Sequence, residues 1–238
     1  MSNEPPLLRC PLWQSIVETE PRLVEVFEAS VKESNRFVEV FRGCVDLPVR
    51  DFRLAEVKHE EGTVLSPDAA RALSFPAGGR PYLFHHLAAM PFVVTPGVCD
   101  RGEGGEMHMR TGALLALTDM LTSFHVWVVN FPQPAQHVSI SLQCNACKPL
   151  VAGRQYIAIS QIDRLGNRIV YTSMEFIEAN WPPHAPPPSS LDTLPKLREA
   201  LRHCEVVVNA KHTKSIIPSN GLKRIVEPAT KTESETAK

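Results

Sequence analysis

The 238-residue sequence has almost no net charge and no secretory or membrane-spanning feature. Its formal net charge is -1, so it lacks the basic excess with which proteins bind nucleic acid or an anionic membrane surface. No uninterrupted apolar run reaches the ~18–20 residues that a membrane span needs. The first ten residues resemble neither a secretory signal nor a clear mitochondrial transit peptide. We therefore expect no nucleic acid partner and no membrane partner.

The six cysteines form no paired framework of the kind found in disulfide-rich secreted proteins. Cys144 and Cys147 are three residues apart on a predicted strand, so they point to opposite faces, and no second pair follows at zinc spacing. His85, His86 and His108 lack the H-x-x-x-H spacing of a metal site. We expect no metal and no cofactor. The cysteines fit a reducing compartment, most simply the cytoplasm, with the mitochondrion as the alternative.

What the chain does contain is 43% hydrophobic residues, enough for a core, and 21 prolines that divide it into short elements. Helical periodicity or long apolar character predicts helices at 22–42, 110–130 and 191–204. β-rich composition or alternation predicts strands within 52–66, 82–98, 137–147, 155–179 and 205–217. The glycine-rich segment 100–106 is interpreted as a flexible approach to the second helix, and 180–190 as a proline spacer.

One long apolar helix followed by antiparallel strands predicts an α+β fold, with the helix buried by the concave face of the sheet. The main domain is predicted at 51–217, with an insertion at 181–204. An N-terminal helical extension is predicted at 1–50 and a flexible C-terminal tail at 218–238.

The long helix carries a lone acid, Asp119, on a face of small side chains. Gly112, Ala116, Asp119 and Ser123 are spaced three or four residues apart and therefore share that face. Small residues let a ligand or another backbone approach closely, and a carboxylate is costly to bury without a partner. The spacing leaves two interpretations open: Asp119 bonds locally or faces water, or it points into a functional site.

Four segments, in this order, resemble the hotdog-fold acyl-CoA thioesterases of the phenylacetate-pathway type. In that family the helix begins HGG, and the catalytic Asp lies seven residues after the second glycine; Gly112 and Asp119 have this separation. Residues 138–149 resemble the family's V-S-V strand that leads to a proline. Residues 165–173 resemble its hairpin turn, and 211–214 resemble a basic RHTK segment in the last strand. The resemblance covers roughly 105–180 and 205–216.

The resemblance implies a hotdog fold, an antiparallel sheet wrapped around one long central helix, that hydrolyses an acyl-CoA to free acid and coenzyme A. The backbone N–H groups of Thr111 and Gly112 would bind the thioester carbonyl oxygen. Asp119, from the other subunit of a homodimer or homotetramer, would act as general base on water or attack directly. Ser139 would hold the water or the carboxylate; it has no G-x-S-x-G context of its own.

By the same resemblance, Arg110, Lys211, His212 and Lys214 would meet the phosphates of coenzyme A. Two positions depart from the family: Arg110 stands where its His is found, and Gly104 where its Asn is found. They imply an alternative, a catalytically degenerate hotdog protein that binds acyl-CoA or serves as a structural subunit of a larger assembly. If Asp119 is the base, Asp119→Asn is expected to slow hydrolysis by ~10²–10⁴ with little change in folding.

Overall fold

A computed structural model of the chain describes residues 4–32, 45–58, 84–130, 136–166 and 168–217. Its strands are β1 Gln14–Ser15, β2 Val45–Asp46, β3 Arg53–Lys58, β4 Phe84–Val94, β5 Cys99–Arg101, β6 Met107–Met109, β7 His137–Ala146, β8 Gln155–Leu165, β9 Ile169–Glu178 and β10 Val206–Ile216. Its helices are α1 Ile16–Thr19, α2 Pro21–Lys32, α3 Thr111–Asn130 and α4 Leu194–Leu201. The predicted segments 33–42 and 59–66 and the tail 218–238 lie outside the described residues.

Eight of these ten strands form one large antiparallel sheet in the order β1-β3-β4-β8-β9-β10-β7, with β2 also paired to β4. Helix α3 precedes β7 in the sequence and packs across one face of the sheet, against β4 and β7 to β10. The predicted α+β hotdog fold, an antiparallel sheet around one long helix, is confirmed.

Helix α3 is long because its apolar residues recur at helical spacing and are buried by the sheet. Leu117, Leu121 and Phe124 are buried, and the Phe124 ring meets Phe27 and Phe52 edge-to-face at 5.1 and 5.2 Å. By length and composition alone this helix could cross a membrane, with a mean hydropathy of 1.4, but half of it is buried inside the protein. A core helix has the same composition, and the sheet accounts for its apolar character.

The opposite face of the sheet is covered by the N-terminal segment and by the predicted insertion. Strand β8 is buried without interruption from Tyr156 to Ser160, as expected for a strand covered on both faces. This second apolar layer comprises sheet residues Leu87, Ala89, Ile157, Ile159 and Ile177 with Leu7, Leu8, Leu12, Trp13, Leu191, Leu194, Leu197 and Leu201. The insertion is therefore part of the domain's packing and holds α4 against the sheet.

The segment before α3 differs from the prediction of a flexible approach. β5 and β6 pair with each other as a small antiparallel ribbon. The turn between them contains Gly104 and Gly105, both at φ +88°, a conformation that glycine adopts without steric cost. The glycines that suggested flexibility instead permit a tight turn.

Phe124→Ala is expected to lower the free energy of unfolding by about 3–5 kcal/mol, because a buried ring is lost between two other rings. Urea denaturation followed by circular dichroism would measure it. Val26→Ala is the matched control: Val26 lies on a helix but is 51% exposed, so its loss should change stability by about 0.5 kcal/mol or less. Equal effects of the two substitutions would contradict the assigned packing of α3.

Candidate active site around Asp119

A β-bulge in strand β7 brings Ser139 to Asp119. Thr213 of β10 pairs with Ser141, and Lys214 pairs with Ser139, so Ile140 is an extra residue in β7. Both Ser139 and Cys144 face α3, with Ser139 Oγ 2.8 Å from Asp119 Oδ1. In a regular strand, residues five apart would point to opposite faces. The bulge therefore re-aims Ser139 toward the helix, as bulges beside functional sites often do.

The Asp119 carboxylate is anchored through one of its two oxygens. Oδ1 accepts hydrogen bonds from Ser139 Oγ and from Lys214 Nζ, each at 2.8 Å. In the part of the chain that the structure describes, Oδ2 accepts no hydrogen bond. The side chain is 34% exposed, so a partly exposed carboxylate has one oxygen held by two donors and a second oxygen without a hydrogen bond among the described residues.

The cation that holds the Asp119 carboxylate is the fully buried ammonium group of Lys214. The Lys214 side chain is 1% exposed, and its Nζ donates to Asp119 Oδ1 at 2.8 Å and Ser123 Oγ at 2.7 Å, with Ser139 Oγ at 3.5 Å. An ammonium carries three N–H donors, and each has an acceptor here. A buried charge is costly unless it is paired and hydrogen-bonded. Asp119 is thus the counter-charge of Lys214.

His212 forms the inner wall of the site. Its Nδ1 lies 2.7 Å from Thr122 Oγ1, and its Nε2 lies 3.6 Å from Asp119 Oδ1. Burial, together with the positive charge of Lys214, lowers the pKa of His212 to about 4, although the Asp119 charge opposes this. The imidazole is therefore neutral at pH 7, and it adds no second positive charge to the site.

The two partners of the ion pair shift each other's pKa against the effect of burial. Burial raises the pKa of Asp119, but the hydrogen bond and charge of Lys214 and the hydrogen bond from Ser139 outweigh it, and the net pKa is lowered. Burial lowers the pKa of Lys214, and Asp119 only partly offsets this. At neutral pH, Asp119 is ionised.

The start of α3 offers exposed backbone donors. Thr111 and Gly112 are exposed, and their N–H groups precede the first intrahelical hydrogen bond, from Leu114 N to Arg110 O. A Cβ added at Gly112 would meet nothing within 4 Å, so this end of the helix is open. Gly112 and Asp119 are seven residues apart, about 10 Å along the helix axis at 1.5 Å per residue.

The four predicted phosphate-binding residues do not come together. Lys211 is exposed and lines a cavity of about 640 Å³ on the opposite face of the sheet, beside α4. His212 and Lys214 are buried facing α3. Alternation along β10 separates them, which corrects the expectation that all four bind one coenzyme. Arg110 remains exposed at the helix start, where its guanidinium contacts Asp100 Oδ1 at 2.8 Å.

The structure adds two members that the sequence did not assign to this site, Lys214 as the partner of Asp119 and Ser123 as the second acceptor of Lys214. Ser123 was recognised only as part of the small-residue face. An inward lysine could have been found from the alternation of β10, because Val208, Ala210 and Ile216 have the same parity as Lys214 and are buried. A lysine in such a row needs a buried acid, and Asp119 is the acid in the central helix.

Comparisons with known proteins give distant similarity to solved structures. No protein-family model matches the chain, and a search of curated proteins finds no match. The E. coli PaaI protein from the phenylacetic acid degradation operon is 14% identical, covering 63% of this chain and 85% of that one, with a TM-score of 0.39. Mouse thioesterase superfamily member 2 is 13% identical, covering 55% and 74%, with a TM-score of 0.36. A hypothetical thioesterase of Streptococcus pneumoniae, solved with coenzyme A, is 12% identical, covering 56% and 78%, with a TM-score of 0.37.

Two of these three proteins are named as thioesterases, and the third comes from the phenylacetic acid degradation operon.

Proposed function

We propose that the protein hydrolyses an acyl-CoA thioester, with Asp119 as general base or nucleophile. The observation that supports this most directly is the anchored carboxylate: Oδ1 is held by Ser139 and Lys214, while Oδ2 has no hydrogen bond in the described chain. A carboxylate that is ionised, oriented and partly exposed, with one oxygen free of hydrogen bonds in the described chain, can take a proton from water or attack a carbonyl carbon. The acyl-CoA substrate comes from the sequence resemblance.

The distance between the proposed donors and Asp119 supports a site that is completed by a second copy of the chain. A catalytic carboxylate and the N–H donors for the carbonyl oxygen must both lie about 3 Å from the reacting group. Within one chain the Thr111 and Gly112 donors are about 10 Å from Asp119 along the helix. We therefore assign the donors to one subunit and Asp119 to its partner in a homodimer.

A suitable contact surface lies beside Asp119. The helix face formed by Gly112, Leu115, Ala116, Asp119 and Ser123 is exposed or only half-buried. Next to it, β7 ends the described sheet and exposes Val138 and Ile140 at 51% and 56%. A strand edge with exposed apolar residues favours pairing with another chain, and the small side chains leave space for a second helix.

One observation favours the alternative, an acyl-CoA binder or structural subunit without catalysis. Lys214 neutralises Asp119, so the acid has a sufficient structural role as a counter-charge. Arg110 and Gly104 also stand where the resembled family has His and Asn. If the purified protein binds acyl-CoA in calorimetry but releases no free thiol from short-chain, long-chain or aryl-acetyl thioesters, the non-catalytic function replaces the proposed one.

Testing Asp119 requires a partner substitution, because Asp119→Asn alone leaves the buried Lys214 charge unpaired. We expect that variant to lose about 3 kcal/mol of stability, lowering Tm by roughly 6–12 °C. This corrects the expectation that folding would be little changed. Adding Lys214→Met removes the unpaired charge, so the double variant should recover most of the loss. A double-mutant cycle of urea denaturation would measure the coupling.

In the double variant Asp119→Asn with Lys214→Met, thiol release from acyl-CoA is expected to fall by ~10²–10⁴ relative to wild type. It should also stay below that of the Lys214→Met single variant, while the protein stays folded. A folded double variant with wild-type turnover would end the catalytic assignment of Asp119. If activity instead follows the folded fraction through all four members of the cycle, Asp119 is only a structural acid.

Subunit mixing tests whether the site is shared. Thr111→Pro removes one N–H donor at the first helical position, where proline is tolerated, and should slow hydrolysis ~10²–10³-fold. When inactive chains that carry Asp119→Asn with Lys214→Met are co-expressed with Thr111→Pro chains, half of the dimers are mixed, and each mixed dimer contains one intact site. About a quarter of wild-type activity should return. Activity that stays at the level of the separate variants would place the whole site in one chain.

A further inference from the structure

We propose that Lys214 is a positioning residue for Asp119: its buried ammonium holds Oδ1 so that only Oδ2 meets the substrate. This inference rests on the proposed function, and it assigns to Lys214 a role quite different from binding coenzyme phosphates. It is based on the contacts of Nζ, which joins two successive turns of α3 to strand β10 through Asp119 and Ser123.

Two donors fix the direction of the carboxylate. A carboxylate held by a single hydrogen bond can tilt and rotate about its Cβ–Cγ bond, so the direction of its second oxygen varies. Here Lys214 Nζ and Ser139 Oγ both donate to Oδ1. Tilting the carboxylate plane away from this orientation would break both bonds and weaken the ion pair, which is costly in a buried site. Lys214 therefore fixes the direction in which the second oxygen points.

The position of Lys214 is itself well determined. Its side chain is 1% exposed, and Ser123, one turn after Asp119, accepts a second hydrogen bond from Nζ. Small displacements of a reacting group reduce rates strongly, with about 1 Å costing on the order of 10²-fold. A rigid cation behind the carboxylate supplies the constraint that such a reaction needs.

The same contacts predict how Asp119 titrates. Among the described residues that shift its pKa, Lys214 and His212 come from β10, and Ser139 comes from β7. Lys214 is the strongest group that lowers the pKa of Asp119, while burial raises it. Removing the ammonium leaves the effect of burial opposed only by weaker groups. The carboxyl should then take up a proton at higher pH than in the wild-type protein.

The experiment is a pH titration of the Asp119 carboxyl by carbon NMR in full-length wild-type and Lys214→Met protein, with the signal identified by its absence in Asp119→Asn. In wild type the midpoint should lie below the ordinary value of 3.8. In Lys214→Met it should rise by about one pH unit or more. Ring signals of His212 should be recorded alongside, because its pKa of about 4 falls in the same range.

Lys211→Met is the matched control for the titration. It removes the same charge from the same strand three residues away, but its side chain is exposed on the opposite face, so the Asp119 midpoint should not move. If Lys214→Met does not fold, Ser123→Ala removes one anchor of Nζ while keeping the ion pair, and should shift the midpoint upward by less. An Asp119 midpoint that is unchanged in folded Lys214→Met protein, or in Ser123→Ala protein if Lys214→Met does not fold, would overturn the inference.

Kinetics separates positioning from folding. In Lys214→Met, kcat for acyl-CoA hydrolysis should fall on the order of 10²-fold with KM little changed, and the acid limb of kcat/KM should move to higher pH with the Asp119 midpoint. A rate loss that only follows the folded fraction, with no movement of the acid limb, would assign Lys214 a structural role. If wild type hydrolyses no acyl-CoA while the midpoint still shifts, the proposed function fails, and Lys214 still orients the carboxylate.

Discussion

The buried Lys214 ammonium is the constraint on which the rest of the site depends. Once a lysine lies at 1% exposure among the inward residues of β10, an acid must lie within hydrogen-bonding distance, because an unpaired charge there would be strongly destabilising. The central helix brings that acid to β10 at Asp119. Ser123 Oγ and Ser139 Oγ accept the remaining hydrogen bonds of the Lys214 ammonium, which explains why small hydroxyl side chains lie beside the ion pair.

The Asp119 carboxyl makes the stability of the protein depend on pH. The folded-state pKa of Asp119 is lower than its ordinary value of 3.8, so the unfolded chain binds the proton more readily. The stability it contributes is therefore fully present above the unfolded value and is lost as pH falls through the folded value. His212 has the same sign, since its pKa falls from 6.5 to about 4: stability from the neutral imidazole weakens as the medium becomes acidic.

The sequence predicted the central helix, the succession of strands along the chain and the shared face of small residues well, because each depends on local periodicity. Helix α3 runs from Thr111 to Asn130, close to the predicted 110–130. The partner of Asp119 could not be found by local spacing, since Lys214 is 95 residues away. The resemblance also grouped Lys211 with Lys214, although alternation along a strand places them on opposite faces. The bulge at Ile140 has no clear signature in the alternating sequence of β7.

The packing on the two faces of the sheet determines which surface would meet the second chain of the proposed homodimer. One face of the sheet is packed against α3, and the other is covered by the N-terminal segment and α4. The chain itself therefore covers the apolar side chains on both faces of the sheet. The helix face from Gly112 to Ser123 remains partly exposed to solvent, because its small side chains offer little area to bury. The exposed edge strand β7 lies beside this face, because its Ser139 donates a hydrogen bond to Asp119. In the proposed homodimer this open surface would meet its copy across a two-fold axis, which would bring together the donors of α3 and the carboxylate, about 10 Å apart in one chain.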